Sequence, residues 1–195
     1  DALARLCDPA AEVSAHYLIA ADGRIWAMVG ESARAWHAGV SIWAGDRDVN
    51  SRAVGVELAN PGGLAAPYEP FPEPQTARLE TLLRALTRRW AIPPRRVLAH
   101  SDVAPGRKID PGPKFDWRRL ARAGLAAAPP PSPDGAPAAP AERAAFFAAL
   151  GRIGYGDWAA EDLLWAFRAR FRPEAAGRPI NAGDLAIAAA LEAAP

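Results

Sequence analysis

The chain has a single cysteine, Cys7, among its 195 residues, so an internal disulfide is excluded. The thiol is expected as a small buried hydrophobe and says little about compartment. Neither sign of charge is in surplus: 23 Lys and Arg against 22 Asp and Glu leave a net +1. That balance removes the reason to expect nucleic acid or an anionic membrane as the main partner. No apolar run approaches the roughly 20 residues of a transmembrane helix. No secretory leader is visible. However, the chain opens at Asp1 straight into a helical stretch, Ala2 to Cys7. That start reads as cut, so the missing leader excludes nothing. Histidine is scarce as well, with His16, His37 and His100 the full set, and there is no tandem repeat.

Half of the residues are apolar and 23% are charged, a soluble globular composition with enough chain for a real core. The clearest boundary is the proline- and alanine-dominated stretch 126–141, AAAPPPSPDGAPAAPA, which reads as a semi-extended linker. Before it, strand and helix signals alternate. Val13–Ala20 and Arg24–Val29 flank Asp22-Gly23, a hairpin signal. Ala53–Leu58 is a third strand, with Glu57 on the face opposite Val54, Val56 and Leu58. Gln75–Trp90 is an amphipathic helix whose Leu79, Leu82, Leu83, Leu86 and Trp90 share a face, with Pro74 at its start and Pro93 beyond its end. Arg96–His100 is expected as a fourth strand and Trp117–Ala123 as a short closing helix. After the linker, apolar positions spaced at Phe146, Phe147, Leu150 and Ile153, then Leu163, Leu164, Phe167 and Phe171, then Leu185, Ala188 and Leu191 predict three helices. The chain is therefore read as α/β (α+β): a mixed central sheet flanked by helices over 1–125, the linker 126–141, and a small three-helix domain over 142–195.

The chemistry concentrates between His100 and Trp117, HSDVAPGRKIDPGPKFDW. Pro105, Pro111 and Pro113 stiffen this loop, and Gly106 and Gly112 turn it. Such a loop holds side chains in place at little further entropic cost. His100 and Asp110 are of the ligand types that a catalytic zinc accepts. Two ligands are not a site, and an ordinary surface loop has the same composition. Taken alone, Glu57 reads as a solvated strand carboxylate and Lys108 as a surface lysine.

Four motifs stand in order along the chain: VSAHYLIAADGRIWAMV, AWHAGVSIWAG, NSRAVGVELAN and VLAHSDVAPGRKIDPGPKFDW. Together they resemble the zinc-dependent N-acetylmuramoyl-L-alanine amidases of the type-2 amidase family, over roughly residues 1–125. The C-terminal ALGRIGYG, LLWAFRARFRP and INAGDLAIAAAL resemble, more loosely, a small three-helix peptidoglycan-binding domain. The resemblance implies hydrolysis of the amide between N-acetylmuramic acid and L-alanine, with Zn2+ as cofactor. It makes His100 and Asp110 zinc ligands, Glu57 the acid that activates water and Lys108 the lysine that stabilises the oxyanion. Arg107 is a candidate anchor for a substrate carboxylate, since its planar fork suits bidentate pairing, or else a solvated charge. His37 resembles a residue beside the substrate groove, or is structural. Trp36 and Trp43 could line the same groove or belong to the core, and His16 reads as structural.

The family pattern also requires another histidine, on a strand ending His-Tyr-Thr that is expected upstream of residue 1. With two protein ligands the polypeptide is expected to bind zinc weakly and to be inert as a fragment. The neighbours of that strand would also present unpaired backbone groups, so lower stability or association is expected. The implied partners are peptidoglycan or muropeptides, the implied setting the bacterial periplasm or cell envelope rather than the cytoplasm, and the expected state a monomer. A non-catalytic peptidoglycan-binding protein with a degenerate amidase fold is the alternative, and a zinc hydrolase of another amide a third. If the linker serves to hold the catalytic unit near the wall, deleting 143–195 should reduce activity on insoluble wall much more than on soluble muropeptide.

Overall fold

The fold is described from a computed structural model covering residues 2–61, 69–130, 132 and 134–194; Pro131 and Pro133 of the proline-alanine stretch lie outside it. The chain divides into two compact units, one of residues 2–41 and 47–92, the other of 42–46 and 93–194.

In the first unit, helix α1 (Ala2–Cys7) precedes a three-stranded sheet whose first strand in sequence lies in the middle. β1 (Tyr17–Ile19) and β2 (Ile25–Ala27) are antiparallel, joined by the predicted Asp22-Gly23 turn; β3 (Val56–Leu58) runs parallel to β1 and sets Glu57 opposite Leu18. Gly23 has φ +86°, and a Cβ there would press on the carbonyl of Pro74, so the turn needs glycine twice over. Leu18 and Ile19 are both buried, as expected of a central strand covered on two faces. Helix α2 (Glu73–Arg89) buries Leu79, Leu83 and Leu86, the face read from its periodicity. Its Gln75, fully buried, donates to the carbonyls of Ile19 and Ala59 at 2.8 and 3.0 Å and so holds the ends of β1 and β3 together. Two expectations fail here. Trp90 does not join the apolar face: it ends the helix, half exposed, with its indole N–H on Glu31. Cys7 is exposed rather than buried, because α1 contributes no buried residue.

In the second unit, the expected strand Arg96–His100 is absent. Residues Pro94–Arg96 form a 3-10 turn, and His100 opens a short helix, α3 (His100–Val103). The apolar run suits a helix entry as well as a strand, and the Asp102 carboxylate caps α3 by accepting the Ala99 N–H at 2.8 Å. Helix α4 (Trp117–Arg122) closes the loop, capped by Asp116. The three predicted helices follow as α5 (Pro140–Ile153), α6 (Ala160–Phe171) and α7 (Ala182–Ala193). Phe146, Leu150, Leu163, Phe167, Ile187 and Ala188 form their core, with Phe146 and Phe167 edge to face at 5.1 Å. A buried Arg168–Asp184 pair (2.7 Å), joined by Arg172, ties α6 to the capped start of α7. The proline-alanine stretch is pinned where it approaches the helices: the Ala138 N–H donates to Ile180 O at 2.8 Å, and Asp134 meets Arg172 and Arg178. No helix of the described residues is long and apolar enough to cross a membrane.

Candidate active site

Within the second unit, the 100–117 loop folds so that its two predicted ligands meet. His100 Nδ1 lies 3.0 Å from Asp110 Oδ2, and the Ser101 N–H donates to Asp110 O at 3.1 Å, closing the loop across ten residues. Between them the chain turns through Gly106, at φ +75°. Arg107 donates from Nη2 to His100 Nε2 at 3.3 Å. A carboxylate only accepts and a guanidinium only donates, so the His100 proton sits on Nδ1. Burial opposes charge on Asp110, but the hydrogen bond from His100 and the charge of Lys108 outweigh it and hold the carboxyl below the usual carboxylate range. Lys108 is half-buried.

Three residues that sequence reasoning missed underlie this loop. Asp102 has no exposed surface; it caps α3, accepts the Tyr155 hydroxyl at 2.9 Å, and pairs with Arg170 of α6. Burial, reinforced by the charge on Asp102, pushes the Tyr155 phenol well above its ordinary range, so it stays a donor. The only local signal was an acid at the third position of a short helix.

In the first unit, Glu57 is the half-buried middle residue of β3. His37 sits over Gly55: a Cβ on Gly55 would overlap the imidazole, so the position suits glycine. The backbone N–H groups of His37 and Ala38 donate to Asn50 Oδ1 at 3.0 and 2.8 Å. His16, edge-on to His37 at 5.6 Å, is structural: its Nδ1 accepts the Gly55 N–H at 2.9 Å and its Nε2 donates to Ala33 O at 3.0 Å, using both ring nitrogens. Trp36 is 57% exposed with Arg34 stacked on its ring, whereas Trp43, in the second unit, packs edge to face on Tyr155.

An imidazole nitrogen and a carboxylate oxygen are both donor types that zinc accepts. Two ligands at about 2.0–2.1 Å on a tetrahedral ion stand roughly 3.3–3.4 Å apart, close to the 3.0 Å between His100 Nδ1 and Asp110 Oδ2. The pair therefore fits two ligand positions. Among the described residues no third His, Cys, Asp or Glu joins it.

The family model for N-acetylmuramoyl-L-alanine amidase matches residues 1–113. The chain belongs to this amidase family. It is 36% identical over 212 residues to N-acetylmuramoyl-L-alanine amidase AmiD of Escherichia coli (strain K12), spanning 97% of this chain and 76% of that protein. The 1,6-anhydro-N-acetylmuramyl-L-alanine amidase AmpD of Haemophilus influenzae is 41% identical over 108 residues, 55% of this chain and 56% of AmpD. The solved complex of E. coli AmiD with the substrate anhydro-N-acetylmuramic acid-L-Ala-D-gamma-Glu-L-Lys superposes with TM-score 0.86 at 35% identity, covering 97% of this chain and 82% of that one. In this amidase His100 and Asp110, the two residues the sequence singled out, meet in the loop opened by His100.

Proposed function

We propose that this protein hydrolyses the amide between N-acetylmuramic acid and L-alanine in peptidoglycan or muropeptides, with zinc held in part by His100 and Asp110. The observation that carries the reading is the convergence of those two side chains to 3.0 Å within the family loop. Membership in the amidase family and the likeness to a substrate-bound AmiD support the reaction and the substrate class. Bound zinc would supply Lewis-acid chemistry, polarising a carbonyl and acidifying water. Glu57 takes the proton from the attacking water and passes it to the leaving amine. Lys108 offsets the negative charge that develops on the tetrahedral oxygen. Arg107 orients a substrate carboxylate through its fork, and His37 borders the bound substrate. The setting proposed is the bacterial cell envelope, where peptidoglycan is found.

The test is release of stem peptide from purified peptidoglycan and from soluble anhydromuropeptide. It uses the chain as it stands and the chain extended by a strand ending His-Tyr-Thr that supplies a third ligand. Release by the extended form that stops with a chelator and returns with zinc is the expected result, with little or none from the two-ligand chain. Tight wall binding with no release from either form would overturn the amidase in favour of a wall-binding protein.

A further inference from the structure

Asp102 lies two residues beyond His100, and its oxygens are fully committed. Oδ2 caps α3 through the Ala99 N–H and receives Nη1 of Arg170; Oδ1 receives the Tyr155 hydroxyl. Arg170 Nη2 reaches on to Val97 O at 2.8 Å, and its guanidinium lies over the Trp117 ring, 4.2 Å from the centroid. One cation from α6 thus touches the chain before His100, the cap of the His100 helix and the aromatic residue that ends the loop. α6 meets the loop again at Gly106, so close to the Asp162 carboxylate that no Cβ would fit. The Arg170–Asp102 pair is almost wholly withdrawn from water, with side-chain exposures of 4% and 0%. Desolvating two charges is costly, and removing one partner strands the other. A module that merely tethers an enzyme to its substrate has no need of such a contact with the catalytic loop.

We propose that Arg170, together with Tyr155, is a positioning residue for the amidase. It holds Asp102, which fixes the start of α3 and with it the His100 imidazole against Asp110. The three C-terminal helices then act as a structural part of the ligand loop. This rests on the reading of His100 and Asp110 as zinc ligands.

Amide hydrogen exchange on the whole chain tests the mechanical step without needing activity. Arg170→Met should speed exchange at the Ala99 and Ala104 amides at least tenfold and weaken zinc affinity about ten- to a hundredfold, the range for groups that orient ligands. In the form that releases peptide, kcat on soluble muropeptide should fall with KM within about twofold, and Arg170→Lys should recover part of the loss. Arg168→Met is the control: its pair with Asp184 is equally buried and in the same helix, but its partners are Asp184 and the carbonyls of Arg178 and Pro179. It should lower the Tm without altering exchange at 99–104 or zinc affinity. Should Arg170→Met fail to fold, Tyr155→Phe, which removes one hydroxyl, should give a smaller rise in exchange at the same amides. Wild-type exchange at those amides and wild-type zinc affinity in the folded Arg170 or Tyr155 variant would overturn the proposal, as would equal changes in Arg168→Met. A protein that stays inactive even when extended by the strand supplying a third ligand would sink the amidase reading alone, because exchange still decides the role of Arg170.

Discussion

His100 and Asp110 face one another at a distance that suits either a shared proton or a shared metal ion. Zinc held by this pair would take the place of the Nδ1 proton, so His100 and Asp110 would offer it two ligand positions already side by side. Substitutions at the loop should therefore divide by chemistry, measured as stem-peptide release by the active form. His100→Ala and Asp110→Asn should each abolish zinc-dependent turnover. Lys108→Met should lower kcat about 10²–10³-fold, as removal of one oxyanion donor does. Glu57→Gln should lower it about 10²–10⁴-fold, the span of general acid–base catalysis. Lys108→Met at full activity would remove the lysine from the mechanism. The meeting of His100 and Asp110 was legible because one short loop carries both and the family motifs name them. Asp102 and its partners were not, because Tyr155 and Arg170 lie 53 and 68 residues further on. No local pattern announces a contact at that separation.

Among the elements, the hairpin, β3, α2 and the three C-terminal helices were all legible from periodicity and turn chemistry. The stretch before His100 was not, because three apolar residues suit a strand or a helix entry equally, and a side-chain cap decided it. Two elements of the first unit carry predictions of their own. Glu31, after β2, receives Tyr17 of β1, Arg89 of α2 and the Trp90 indole. The hydrogen bonds from Tyr17 and Arg89, against burial and helped by Trp90, hold its carboxyl down at about 2. A pKa lowered by folding adds stability that is full above the unfolded value, about 4.3, and is lost as pH falls through about 2. Glu31→Gln should thus lower stability by roughly 1.5–3 kcal/mol at pH 7. In urea titrations the gap to wild type should close between pH ~4.3 and ~2; a gap independent of pH would place its origin elsewhere. Gly55→Ala, which drives a Cβ into the His37 ring, should cost about 1–3 kcal/mol as overpacking does. It should also raise KM more than it lowers kcat if His37 borders the substrate. An unchanged KM in a folded variant would return His37 to a structural role.

For the whole molecule, composition and packing draw different boundaries. The linker at 126–141 marks a change in composition, and the family match ends at residue 113, yet 93–130 and 134–194 belong to one compact unit that also takes in 42–46. Composition reports which residues are prolines and alanines. It does not report that Asp134 and Ala138 are held by the C-terminal helices, or that Asp102 finds its cation on α6. The difference bears on truncation. A tether acts by raising local concentration near an insoluble substrate, so its loss would spare soluble muropeptide. A buttress acts on the loop itself, so its loss reaches every substrate. Ending the chain after residue 125 removes Tyr155 and Arg170 and leaves Asp102 with neither its donor nor its counter-charge. Activity on soluble anhydromuropeptide should then fall at least about tenfold, the low end for losing groups that orient metal ligands, alongside the loss on wall. The ratio of the two losses decides between the roles. A truncated chain that keeps soluble activity within about twofold while losing wall activity would make the helices a tether; parallel losses make them part of the enzyme.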